Sequence, residues 1–394
     1  MDTIDPIFRQ SDVASICTEI DKLGRFAIDL EFIPEKTYNP VLALLQIATD
    51  NGVYIIDPLA DLDLHDLWQR IADEHIVKVL HAAKEDLNII RQLSGLVPKN
   101  IFDTQLAAGF LGYGYPVGYK KLLSQVMNVQ IDKSESFTDW LIRPLSKFQL
   151  RYAFEDVCHL LSLADQLRNS LDQRKRLVWV VNECACSYTG DIEVGTKNYG
   201  YTKIKGARNL SRQKLAVLQA LCELRTEEAK RTNRPLKTIL SDITLLELSK
   251  KIPKSIESFE EIRGINIDQA RRHGKRIIAS IEKALSLSSA EWPNWPSGES
   301  VSDAESLAGD VLYAILKVEA YKSEIAPELL ATRNDIQKLV RAFWGNCHDE
   351  TELSVLSDWR NELIGKKLLN ILKGMPARIK IESKEEQPIK ISFD

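Results

Sequence analysis

Three apolar, β-favouring runs, RFAIDLEF, VLALLQIAT and GVYIIDP, follow one another near the start of the chain, broken by Pro34, Asn39-Pro40 and Asp50-Asn51-Gly52. The breaks are shorter than the dozen or so residues that a parallel crossover needs, so the runs are expected to form an antiparallel meander. A helix-like stretch around Leu64–Glu74 and a fourth run, IVKVLHAA, come next. The period then changes. EDLNIIRQL, DTQLAAGFL, YKKLLSQVM and SKFQLRYAFEDVCHLLSLADQLRNSL all carry apolar residues at spacings of three and four. Hairpin-linked strands, one further strand and then helices describe a mixed α/β domain ending near residue 195.

Beyond it, TGDIEVGTKNYGYTKIKG is rich in glycine and has little periodicity, as a linker does. SRQKLAVLQALCELRTEEAKR is an amphipathic helix that stops before Arg234-Pro235. Shorter helices continue to about Leu285, and SLSSAEWPNWPSGESVSD breaks the chain again. A second helical stretch runs from Ala304 to about Leu372, followed by a charged tail, KIESKEEQPIKISFD. Three domains are expected: 1–200, 207–288 and 300–375.

Charge is distributed unevenly along this order. From Lys203 to Lys283, 19 Lys/Arg stand against 10 Asp/Glu, while the whole chain carries −4. A basic block in an acidic protein points to a polyanion-binding module attached to something else. The six cysteines are scattered, without a disulfide framework or metal spacing, and Cys184 and Cys186 read as core residues of a helix. No apolar run has a membrane helix's length, and the acidic start MDTIDPIFRQ is unlike a secretion signal, so a cytoplasmic protein is expected.

Three acidic features carry the chemistry. Asp29 and Glu31 stand two apart on a strand, which puts both carboxylates on one face about 7 Å apart, opposite Ile28, Leu30 and Phe32. Two like charges there are costly without a cation, although a solvated acidic edge has the same pattern. Asp86 lies in the first turn of a helix, where acids are common for their favourable meeting with the helix dipole. Tyr152 and Asp156 are four apart on a helix, hence on one face, as ordinary surface pairs also are.

In this order, D-x-E on a first strand, Asp after a later strand and Y-x-x-x-D on a helix, the chain resembles the tyrosine-containing branch of the DEDD exonuclease superfamily. HAAKEDL, IFDTQLAAGFLGYG, DKSESFTDWLIRPLS and QLRYAFEDV sharpen the likeness to the ribonuclease D family. Residues 209–265 resemble a helicase-and-RNase-D C-terminal (HRDC) module, and the third stretch resembles that family's divergent second copy. The resemblance implies an α/β, ribonuclease H-like domain followed by two all-α HRDC-like domains. It implies a 3′→5′ exoribonuclease acting on RNA, transfer RNA precursors among its substrates, with two divalent ions, Mg²⁺ or Mn²⁺; a monomer is expected, although the sequence does not set the oligomeric state. Asp29, Glu31, Asp86 and Asp156 would be the metal ligands, and Tyr152 would orient the attacking water. The absence of His and Cys from the set suits such hard cations.

Tyr119, Lys120 and Lys121 follow the glycine-rich GYGYPVG turn and form a basic, aromatic cluster that could meet an RNA end, or a solvated helix start. Gln149 matches family text beside Tyr152 and is expected to touch substrate. Arg271 and Arg272, near Gly274 in the basic block, are expected to grip phosphates. His81 reads as a satisfied core histidine. With no G-x-x-x-x-G-K-[ST], the HRDC-like stretch does not make a helicase. A DNA exonuclease with the same carboxylates remains an alternative, as does an idle binding protein on this fold. A chain ending near residue 200 is expected to keep the whole catalytic site.

Overall fold

The computed structural model describes residues 5–33, 37–131, 139–189, 200–295, 302–345, 353–381 and 389–393. It opens with helix α1 (Gln10–Leu23), which the sequence reading passed over although Val13, Ile16, Cys17 and Ile20 form a buried stripe at helical spacing. Gly24, in the left-handed region at φ 68°, closes that helix and turns the chain into strand β1 (Arg25–Ile33). Strands β2 (Val41–Ala48) and β3 (Val53–Ile56) form the expected antiparallel hairpin, with Ala48 opposite Val53. Helix α2 (His65–Ala72) then carries the chain over to β4 (Val77–Leu80), which pairs parallel to β1 with Arg25 opposite Val77.

After α3 (Lys84–Ser94) a fifth strand, β5 (Ile101–Asp103), pairs parallel to β4. It is missing from the sequence reading because three residues are too few to show a period. The sheet order is β3-β2-β1-β4-β5, so β1 lies at its centre. Helices α4 (Thr104–Gly109), α5 (Tyr119–Met127), α6 (Lys147–Val157), α7 (Leu160–Gln173) and α8 (Leu177–Thr189) follow. The result is a mixed sheet with helices, as the α/β reading required. Cys184 is buried within α8, whereas Cys186, expected in the core, is exposed.

Two compact units make up the chain: Met1–Glu31, Ala43–Gly190 and Ser300–Asp394 form one, and Phe32–Leu42 with Asp191–Glu299 the other. The second unit is helical: α9 (Arg212–Thr232), α10 (Leu236–Ile239), α11 (Asp242–Lys251) and α12 (Ile267–Leu285) enclose a core that includes Leu218, Leu221, Leu245, Leu248, Ile277 and Ile281. Asn233 ends α9 in the left-handed conformation just before Arg234-Pro235.

The stretch expected as a separate third domain shares its compact unit with the α/β domain. It contains α13 (Asp303–Lys322), α14 (Pro327–Leu330), α15 (Arg333–Trp344), α16 (Asp358–Arg360) and α17 (Lys366–Leu372). Trp359 stacks on Trp179 at 5.2 Å between centroids and meets Phe110 edge-on at 4.9 Å. The backbone N–H of Ala326 donates to the Gly109 carbonyl at 2.8 Å, and a Cβ on Gly109 would come within 2.6 Å of a Leu329 methyl. The Arg176 guanidinium donates to the carbonyls of Phe110 and Ser323, and Arg360 pairs with Glu183 at 2.7 Å. One continuous apolar cluster spans both stretches. The tail read as merely charged is a β-hairpin, β6 (Ala377–Ile381) paired with β7 (Ile389–Phe393), where isoleucine alternates with charged or polar residues.

Candidate metal centre

The central strand and two helices bring the acidic residues together. Asp29 and Glu31 project from the same face of β1, and α6 presents Asp156 to them. One carboxylate oxygen from each of Asp29, Glu31 and Asp156 lies within 4.8 Å of the others, a cluster that could hold a metal ion. Asp86 is not in that triplet, but it is buried at 8% exposure in the first turn of α3. Its charge is the largest electrostatic influence on Asp29 after burial itself, and it also acts on Glu31.

Crowding of this kind holds protons on the acids. Burial first, then Asp86, Asp156 and Glu31, pushes Asp29 well above the usual carboxylate range. Burial, Asp156 and Asp86 push Glu31 to about 8. Asp86 rises to about 7, through burial and then Glu85 and Asp103. Asp156 also rises to about 7 through burial, against the pull of Lys120 and a hydrogen bond from Tyr152. Four acids under mutual strain, with oxygen as the only donor atom, fit divalent cations that take carboxylate ligands.

The sign of the pH effect follows. In the unfolded chain these groups titrate near 3.8 or 4.5, but folded and metal-free they titrate near 7 to 8. Between those limits the folded state binds more protons, so stability falls as pH rises. We expect the metal-free protein to melt at a lower temperature at pH 8 than at pH 6, and saturating divalent metal to remove or reverse that difference. A metal-free melting temperature that rises over this interval would mean that the cluster is not what the protein titrates.

Tyr152 sits on the same face of α6 as Asp156, bonded to it, with its ring 5.8 Å from Trp140. Burial and the nearby carboxylates raise its hydroxyl above the ordinary tyrosine range, so it stays protonated at neutral pH. Lys120 Nζ lies 5.7 Å from the Tyr152 ring centroid and faces Asp156 electrostatically, which puts this expected substrate contact at the cluster. Tyr119 is nearby too. Its ring is 5.5 Å from His81, and its buried hydroxyl lies beside the His159 backbone without reaching hydrogen-bond geometry to any described residue. His81 is satisfied, as read: Nδ1 meets Thr104 Oγ1 at 2.9 Å and Nε2 the Val117 carbonyl at 3.0 Å.

Gln149, expected at the substrate, has a structural role in α6. It is 6% exposed, and its amide oxygen accepts from Ser146 to complete the capping box of α6. Its nitrogen donates to Asp139, so the amide is spent on holding the helix that carries Tyr152 and Asp156. Arg143, quoted as family text, forks onto Asp57 and is likewise structural. Arg271 and Arg272 are exposed on α12 of the helical unit, away in sequence from all five residues above.

Sequence reasoning missed Asp103. This carboxylate is 1% exposed and caps α4 through the N–H groups of Gln105 and Leu106. It also accepts from Ala82 and Ala83, both at 3.0 Å, just ahead of the helix that bears Asp86. The only local signal was its place before Thr104 at a helix start.

The sheet carries a half-buried carboxylate triplet where its central strand meets α6, and the model of the 3′–5′ exonuclease family matches residues 4–172. The HRDC family matches residues 214–281, and the ribonuclease D C-terminal HRDC domain matches 311–368. The chain is 33% identical over 349 residues to ribonuclease D of Bartonella henselae, covering 88% of this chain and 84% of that protein. It is 33% identical to ribonuclease D of Granulibacter bethesdensis over 93% of this chain and 92% of that one. The crystal structure of Escherichia coli RNase D, an exoribonuclease involved in structured RNA processing, superimposes with a TM-score of 0.82 at 29% identity, covering 95% of this chain and all of that one. The chain belongs to the ribonuclease D family of 3′→5′ exoribonucleases.

Proposed function

We propose that the chain removes nucleotides from RNA 3′ ends by hydrolysis with two divalent ions, Mg²⁺ or Mn²⁺, held by Asp29, Glu31, Asp86 and Asp156. The observation that carries this reading is the crowding of acids with raised proton affinity on β1, α3 and α6. Ions held there supply activation of water and neutralise charge on the phosphate and the leaving 3′ oxygen. The chain's own groups do the rest. Tyr152, protonated, with its ring beside Trp140 and its O–H given to Asp156, orients water through the lone pairs of its hydroxyl oxygen and cannot serve as a base near pH 7. Lys120 offers a cation to an arriving phosphate. Tyr119 offers an aromatic edge beside it.

Arg271 and Arg272 then serve as phosphate contacts of an HRDC module spanning 207–288, next to an exonuclease stretch of 1–200 and a divergent HRDC-like stretch of 300–375. We further place the protein in the cytoplasm as a monomer acting on transfer RNA precursors, the substrate class that the family resemblance implies. Among the described residues no helix is long and apolar enough to cross a membrane.

RNA labelled at its 5′ end, incubated with Mg²⁺ or Mn²⁺, should shorten one nucleotide at a time and release nucleoside 5′-monophosphates. EDTA should stop it, and a DNA strand of the same sequence should be a poorer substrate. Full activity in EDTA, or cleavage of circular RNA, would overturn the proposal.

A further inference from the structure

Helix α3 begins without a cap of its own. Its N-cap position is Ala83, which offers no side-chain acceptor, and Ala82 before it lies in the left-handed region at φ 58°, a conformation that alanine adopts only when something holds it. What holds it comes from elsewhere in the chain. Asp103 Oδ1 accepts from Ala82 N–H, while Oδ2 accepts from Ala83 N–H, both at 3.0 Å. The same Oδ2 accepts from the Tyr188 hydroxyl at 2.6 Å. Tyr188 belongs to α8, and its backbone carbonyl accepts from the guanidinium of Arg91, two turns along α3. One tyrosine thus fixes the start of α3 through Asp103 and its far half through Arg91.

We propose that Tyr188 and Asp103 are positioning residues for Asp86. They hold the turn and helix that aim its carboxylate at the cluster, and so set the affinity of the site for divalent metal. This rests on the reading of Asp86 as a ligand. Neither residue touches substrate in this scheme, although the Asp103 charge also acts directly on Asp86. The Tyr188 hydroxyl acts only through Asp103 and the backbone N–H groups it holds, so its loss should loosen the aim of Asp86 without emptying the core.

The test uses the full-length protein stripped of metal. Mn²⁺ alone is titrated into wild type, Tyr188→Phe, Asp86→Asn and Tyr54→Phe, with binding followed by calorimetry and folding by thermal melting. Tyr54→Phe is the control, since it also deletes a hydroxyl bonded to a carboxylate, Glu19, in the same compact unit. Changing a group that orients a ligand costs on the order of tenfold in metal affinity. We therefore expect Tyr188→Phe to bind Mn²⁺ about tenfold more weakly, to recover turnover at saturating Mn²⁺, and to melt like the Tyr54→Phe control. Asp86→Asn should bind more weakly still. If Asp86→Asn weakens binding and Tyr188→Phe does not, the positioning role is wrong and the ligand assignment stands. If Asp86→Asn binds as wild type, both fall together. If Tyr188→Phe weakens binding no more than Tyr54→Phe, the effect is general and the proposal fails. Should Tyr188→Phe not fold, Arg91→Gln gives the decision, because it releases α3 from the Tyr188 carbonyl and leaves every carboxylate in place; wild-type Mn²⁺ affinity there would overturn the proposal.

Discussion

Asp29→Asn and Asp156→Asn should each abolish RNA hydrolysis while leaving RNA binding by the full chain largely intact. Each change removes a negative ligand atom from a triplet whose oxygens lie within 4.8 Å of one another. It removes no cation that could face RNA. The loss should exceed the roughly 10- to 100-fold that accompanies changes to groups merely orienting a ligand. Tyr152→Phe deletes one hydrogen bond and should cost about a hundredfold, within the range for a group that handles a proton or water. Asp156→Asn should also melt at higher temperature than wild type at pH 8 when metal is withheld, because a neutral amide removes the charge that, after burial, does most to raise Glu31 to about 8. Single-turnover rates with 5′-labelled RNA, filter binding and melting curves check all three statements. Wild-type turnover in either asparagine variant would mean that the cluster is misassigned.

Truncation near residue 200 should be nearly as damaging, contrary to what the sequence predicts. All five proposed catalytic residues lie before that point, yet part of the compact unit that holds them lies after residue 300. Removing 300–394 strips Trp359 from Phe110 and Trp179, removes Leu329 from Gly109 and takes the Ser323 carbonyl from Arg176. Re-exposing each large apolar side chain costs about 1.5–3 kcal/mol, and a buried donor without an acceptor about 1–3 kcal/mol. A domain's whole stability is about 5–15 kcal/mol, so a few such losses consume much of it. The 1–200 fragment should give little soluble protein and a much lower melting temperature. A chain in which 191–299 is replaced by a flexible linker should keep the melting temperature and trim short single-stranded RNA. It should lose activity on folded RNA. If the 1–200 fragment melts with the full chain and trims short RNA at the full rate, the two stretches are independent after all.

What could be read in the sequence was what repeats within a few residues. Alternation put Asp29 and Glu31 on one face of β1, and the four-residue step put Tyr152 with Asp156 on α6. Asp86 was readable only through family resemblance, because an acid in a first turn has an ordinary explanation. Asp103 could not be read at all as a support for that acid, since its partners Ala82 and Ala83 lie about twenty residues earlier and offer only backbone. The capping role of Gln149 was hidden for a related reason: a polar residue beside Tyr152 suggests a substrate contact until its capping partner Ser146 is seen. The hairpin of β6 and β7 did carry a strand period, but its lysines, and the acidic KEE between the strands, made it look like a solvated tail. Docking of 300–394 on the α/β domain leaves no local trace, because it depends on which surfaces match after folding.

The compact unit that holds the acids is interrupted in the chain by about a hundred residues of the helical unit. During synthesis the first stretch leaves the ribosome long before its partner surface exists, at a pace of roughly 5–20 residues per second. The unit therefore completes itself only after the intervening helices have been made. Chains stalled at residue 200 and at residue 394 on a linker long enough to clear the ribosome should differ in resistance to protease over residues 100–190, with only the longer one protected.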